Sequence, residues 1–148
     1  MNDISEPANI RTGLFEYLNG FKPIADLVTG VYPLKIKQAE DLPGITYRVL
    51  NITRDEAANR GETGYVNATI QINCWARKYE DAVPVARQLR LALGGFRGRW
   101  GETEIRSCHV IGEHDNYEEP QFADDIGFPG VGIDVEVSFL EDRPDRMN

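Results

Sequence analysis

The clearest signal in the chain is a change of period. From Tyr65 onward, Val66, Ala68, Ile70, Ile72, Cys74 and Ala76 alternate with Tyr65, Asn67, Thr69, Gln71, Asn73 and Trp75. A period of two predicts a strand over residues 65–76, with the even-numbered set toward the core and the odd-numbered set on a polar face. Beyond Ala76 the apolar residues recur every three or four positions, at Ala82, Ala86, Leu89 and Leu93, with Val83 and Val85 beside them. That spacing predicts an amphipathic helix over residues 79–93. Glu80 and Asp81 suit the positive end of its dipole, and Gly94-Gly95 stops it. Pro84 fits a regular helix only if the helix begins near Asp81, which places the proline in the first turn.

The same reading extends in both directions. Ile10, Leu14, Phe15 and Leu18 predict a helix over residues 7–18, ended by Asn19-Gly20, and a short helical piece follows at residues 23–28. Pro33 and Pro43 make the segment between them an extended connection. A strand is predicted over residues 45–53. The glycine-punctuated, charged residues 54–64 read as a long hairpin loop. "FRGRWGE" reads as a turn-rich connection after the second long helix. Residues 103–112 and 131–140 supply the last two strands; in the latter, Val131, Ile133, Val135, Val137 and Phe139 alternate with polar side chains. The predicted class is α+β: a largely antiparallel four-stranded sheet with helices packed on one face, in the order α-β-β-α-β-β. The other face stays polar and uncovered. The chain reads as one domain over 1–148, with short polar ends at 1–6 and 141–148.

Charge narrows the function. The 148 residues carry 24 acids against 16 bases, a formal net charge of −8. Nucleic-acid grips usually show a basic surplus, so this chain is expected to repel phosphate on average. No apolar run approaches the roughly 20 residues of a membrane-spanning helix, and no secretory leader is legible at the start. Cys74 and Cys108 are far apart and form no CxxC pair, which suits a reducing compartment.

Candidate chemistry is thin. Cys74, Cys108, His109 and His114 are a conceivable zinc set, but Cys108 and His109 are adjacent and point to opposite sides of a strand. "GGFRGRWG" has glycines at the wrong spacing for a phosphate cradle and follows a helix. It reads as a solvated turn with one aromatic anchor, although Arg97, Arg99 and Trp100 are the groups that would touch a phosphate or a base. Glu113, Asp115, Glu118, Glu119, Asp124 and Asp125 form an acidic cluster, read as a solvated loop. The alternative is a small divalent-metal-dependent enzyme that processes DNA with these carboxylates. No cofactor and no resident metal are expected, and the leading reading is not an enzyme.

The order of short motifs carries a resemblance. "VYP" at 31–33 follows N-terminal helical pieces. "LPGITY" at 42–47, "QINCWA" at 71–76, "YEDA" at 79–82, "ALGG" at 92–95 and "DNYEE" at 115–119 come next, before a final alternating strand. In this order and spacing, over about residues 10–140, the chain resembles the tail-completion or tail-terminator proteins of long-tailed bacteriophages, also called head–tail joining proteins. It departs from them at Pro84 and in the long, turn-rich residues 118–132. The resemblance implies an α+β subunit of a ring, usually a hexamer, that caps the tail tube and meets the head connector. It implies a virion component assembled in the host cytoplasm. Its partners are copies of itself, the tail-tube protein and a head-completion or connector protein. DNA passes through the lumen without specific binding, and no membrane is involved. The residues proposed for partner or subunit contact are Arg54, Asp55, Glu56, Arg60, Glu62, Trp75 and Tyr117. Those proposed for the lumen or solvent face are Glu102, Glu104, Asp134 and Glu136.

Overall fold

The structure is a computed structural model that describes residues 9–60, 64–120 and 127–141. The elements run α1 (Ile10–Gly20), α2 (Lys22–Ala25), β1 (Gly30–Pro33), a 3₁₀ turn (Ala39–Asp41), β2 (Gly44–Arg54), α3 (Glu56–Asn59), β3 (Tyr65–Trp75), α4 (Tyr79–Leu93), β4 (Gly98–Trp100), β5 (Thr103–Glu118) and β6 (Phe128–Leu140). The strands form one sheet in the order β1-β2-β3-β6-β5-β4. β1 runs parallel to β2, and the other neighbours are antiparallel.

The expected α+β arrangement, a largely antiparallel four-stranded sheet in the order α-β-β-α-β-β, is therefore overturned. The chain forms a six-stranded mixed sheet curled into a half-barrel, and strand is its main structure. Two physical reasons account for the difference. β1 has four residues and β4 has three, too few to display an alternation. β1 ends in Pro33, which a strand tolerates at an edge because no ladder donor is needed there. β4 lies within the glycine-rich stretch that reads as turns. The other lengthened element is β5, which continues past Gly112 to Glu118. Those last residues are polar on both sides, so hydrophobic patterning gives no strand signal for them.

The core lies between the helices and the sheet. Val66, Ala68, Ile70, Ile72 and Cys74 of β3 are all buried, as are Val131, Ile133, Val135, Val137 and Phe139 of β6. Against them lie Ala82, Val85, Ala86, Leu89 and Leu93 of α4 and Leu14 and Leu18 of α1. Burying such aliphatic side chains stabilises the fold by roughly 1.5–3 kcal/mol each. The start of α1 is capped by Asn9, whose side-chain oxygen accepts from the Arg11 and Thr12 amides. Tyr17 donates to the Ala92 carbonyl at 2.6 Å, tying α1 to the last turn of α4. Its ring also meets Phe96 and Trp100, at centroid distances of 4.8 and 5.7 Å. Trp100 is fully buried, so the turn expected to be solvated is instead an edge strand pinned by its aromatic residue.

Two further details depart from expectation. α4 begins at Tyr79, and Pro84 sits inside it rather than in its first turn. The segment after β2 is not all loop, since α3 forms one helical turn there.

Candidate functional site

With the helices on one side, the odd-numbered side chains of β3 occupy the other. Strand register identifies their companions. Asn67 pairs with Ser138 and Thr53, Thr69 with Glu136 and Asn51, and Gln71 with Asp134 and Arg48. From β5 come Ser107 opposite Ser138 and His109 opposite Glu136. This polar face extends across the sheet, and the helices leave it uncovered. Its inner strands carry hydroxyls, amides and carboxylates. Ser138 donates to Asn67 across β6 and β3.

The face is not uniform. Tyr65 and Asn67 are exposed, but Asn73 and Trp75, on the same side of the same strand, are each only 8% exposed. Two features bury them: residues 32–41 fold over this end, since a Cβ at Gly44, opposite Trp75, would meet Tyr32, Ile36 and Asp41, and β6 supplies a glycine floor. Gly130 lies opposite Trp75, and Gly132 lies opposite Asn73. A Cβ at Gly130 would fall 2.7 Å from the Cys74 carbonyl oxygen and into the Trp75 ring. A Cβ at Gly132 would fall 2.7 Å from Asn73 Oδ1 and 2.9 Å from Asn116 Nδ2. Without side chains there, the neighbours lie across the β6 backbone. Asn116 donates to Asn73 over Gly132. Trp75 donates to Thr46 at 2.9 Å and meets Phe128 edge-on at 5.5 Å. Thr46, Arg48, Gln71, Asn73, Trp75 and Asn116 line a shallow groove at this end, with a volume of about 240 Å³. His114 Nε2 lies 3.4 Å from Asp134 Oδ2 beside it. Asp134 Oδ1 is buried and has no hydrogen-bond partner among the described residues.

The proposed contact residues separate into two groups. Trp75 lies at one end of β3, and Tyr117, which is exposed, pairs with Pro129 near that end. Arg54, Asp55, Glu56 and Arg60 lie at the other end, roughly 30 Å away along the strands. Arg54 makes a two-pronged bond to Glu141 at 2.8 and 2.7 Å, which raises its pKa further. Arg60 pairs with Glu56 at 3.2 Å. Both arginines are thus engaged inside the chain. Glu62 lies outside the described residues.

Of the proposed lumen residues, Glu104, Asp134 and Glu136 share the uncovered face. Glu102 is exposed in the turn between β4 and β5, where its carbonyl accepts from Arg99 at 3.1 Å. Sequence reasoning missed Asn116, Gly130, Gly132 and Thr46. The two glycines at alternate positions, 130 and 132, at the start of a valine-rich strand were the available signal.

The acidic segment is not a loop along its whole length. Glu113, Asp115 and Glu118 stand in β5. Glu113 and Asp115 point to the helix side, where Arg90 Nη1 binds Glu113 at 3.0 Å and the Tyr79 hydroxyl donates to Asp115 at 2.9 Å. The Asp115 bond raises the Tyr79 pKa. Asp124 and Asp125 lie outside the described residues. Among the described residues, no three of His, Cys, Asp and Glu gather as metal ligands. Cys74 and Cys108 are buried free thiols in the core, while His109 pairs with Glu136 on the opposite face. Burial pushes both thiol pKa values up, that of Cys108 to about 12.

The geometry defines a mixed sheet with one helix-covered side and one open polar side. No protein-family model matches the chain, and no curated protein matches it. Among solved structures, the fold is similar to a chain described as "Virion of native gene transfer agent (GTA) particle". The TM-score is 0.56 at 15% identity, covering 88% of this chain and 94% of that chain. At this identity the likeness is one of fold.

Proposed function

We propose that this protein is a structural component of a phage-like virion that caps the tail tube as a ring and joins it to the head connector. The observation that carries this reading is the uncovered polar face, formed by strands whose other side carries the hydrophobic core. The fold likeness to a chain of a gene transfer agent virion supports it. So does the order of motifs along the sequence.

In this reading the face lines the ring. Asn67, Thr69, Gln71 and Ser138 offer neutral polar groups, and Asp134 and Glu136 add negative charge. Such a surface hydrates DNA without holding it, because carboxylates repel phosphate and, among the described residues of the inner strands β3 and β6, no lysine or arginine stands on this face to anchor the duplex. The ends of the strands then meet the tube on one side and the connector on the other.

The test is assembly without the protein. Particles produced with its gene deleted should show tubes of uncontrolled length and heads without tails, and supplying the chain should restore both. Normal tailed particles in the deletion would contradict the role.

A further inference from the structure

Two features lie at the same height on opposite edges of the sheet. Through the strand registers, Asn116 of β5 and Gly30 of β1 are both level with Trp75 of β3. Tyr117 and Glu118 follow just beyond Asn116, on a stretch of β5 that no strand flanks on its outer side among the described residues. On the other edge, the chain leaving β1 walls a cavity of about 620 Å³, whose lining includes Tyr32, Pro33, Leu34, Lys35 and Lys37.

The cavity is built at a cost. Leu34 is the most exposed large apolar side chain among the described residues, at 71%. Its φ is 70°, a left-handed value that is an outlier for a bulky residue. The Lys35 amide closes the turn on the Pro33 carbonyl at 2.8 Å, and the Leu34 amide binds the Tyr47 carbonyl at 3.0 Å. Backbone strain that holds a leucine in water points to a partner that covers it. Lys35 and Lys37 are exposed and have no ion-pair partner among the described residues. Asp41 is the one acid in the lining, against these two lysines.

The end of β5 has the opposite character. Tyr117 is 57% exposed. Glu118 and Glu119 follow it, and neither has an ion-pair partner among the described residues. Leu34 and Tyr117 border the same groove of the uncovered face, yet each keeps more than half its surface in water, so neither covers the other within one chain. Copies rotated about an axis along the strands keep their heights. The end of β5 in one copy then meets the β1 side of the next, a contact between unlike patches that can close a ring. An aromatic ring and two carboxylates face an apolar cavity and two ammonium groups; the charges mainly set register and partner choice.

We infer that a second copy of this chain fills the cavity: Tyr117 of one subunit seats beside Leu34 of the next, and Glu118 and Glu119 reach Lys35 and Lys37. This rests on the ring reading above and specifies its interface. The contact is made by side chains, with no strand ladder shared between subunits.

The test uses the full chain assembled with tail-tube protein. Lys37→Cys and Glu118→Cys are made as separate proteins, the native thiols being buried. Rings assembled from their mixture and oxidised should give covalent dimers, and rings of either variant alone should give none. Rings in the mixture without dimers would overturn the contact and leave the ring standing. Dimers from either variant alone would overturn it in favour of a two-fold contact. A parent protein that forms no ring on tubes would overturn the ring reading and the contact with it. A second variant separates docking from folding. Leu34→Gly relieves the left-handed backbone and removes the apolar side chain. It should leave the midpoint of thermal unfolding unchanged or raised, and weaken ring assembly about tenfold. Undiminished assembly, or weaker assembly together with a lowered midpoint, would contradict the docking role.

Discussion

The two ends of the uncovered face are built on the same strand and behave differently. At the Tyr65 end, odd-numbered side chains stand in solvent as alternation requires. At the Trp75 end, two residues of the same parity are buried without any helix above them. Two local causes combine: Tyr32, Ile36 and Asp41 close over Gly44 beside Trp75, and on its outer side β6 presents glycine at 130 and 132. Removing two side chains turns an open lattice into a floor on which a tryptophan and two asparagines lie flat. Parity decides which face a residue occupies; the cross-strand neighbour decides whether it is buried there.

The largest effect should separate the two faces themselves. Ile72→Ala removes a fully buried side chain and should cost about 2–5 kcal/mol in denaturant unfolding, whereas Thr69→Ala on the open face should stay within about 0.5 kcal/mol. Comparable losses would mean that something covers the polar face in solution.

Glycines on that face provide the next contrast. Gly130→Ala drives a methyl into the Trp75 ring and the Cys74 carbonyl, and should destabilise by about 1–3 kcal/mol. At Gly112 the nearest atom to a new Cβ is Asp134 Oδ2 at 3.7 Å, so Gly112→Ala should be neutral or gain up to about 1 kcal/mol. A harmless Gly130→Ala would remove the argument for the floor. Asn116→Ala should cost about 1 kcal/mol by leaving Asn73 Oδ1 without its donor, which a thermal melt reads.

The smallest effect concerns the core thiols. Burial raises the Cys108 pKa from 9.0 to about 12, so the folded state favours the neutral thiol. Its contribution to stability is complete below pH 9 and is lost as pH rises toward 12. Thiol titration at pH 8 should label neither cysteine in the native protein and both in denaturant. Rapid native labelling would place one of them outside the core.

Much of this architecture was legible because its central elements are long and one-sided. The period of two through Val66–Cys74 and the three-to-four spacing of Ala82, Ala86, Leu89 and Leu93 identify β3 and α4 and the faces that join them. The sheet's breadth was not legible. β1 and β4 are held by neighbours and, in β4, by a buried tryptophan packed beneath α1, none of which is a local pattern. The end of β5 escaped for another reason: Glu113 and Asp115 occupy helix-side positions by binding Arg90 and Tyr79, so polar residues stand where alternation anticipates apolar ones. Arg54 and Arg60 have partners within the chain, Glu141 and Glu56, which charge in the sequence alone does not specify. Glu104, Asp134 and Glu136 could be assigned to one face because they lie in strands; Glu102, in a turn, could not.

The central claim is that the open face is a lining and the covered face is a core. An electron-microscopy reconstruction of the neck of an assembled particle tests it most directly. The account requires a closed ring of this chain with Thr69 and Glu136 turned toward the bore. Density for α1 and α4 lining the bore, or a neck that lacks the chain, would contradict it.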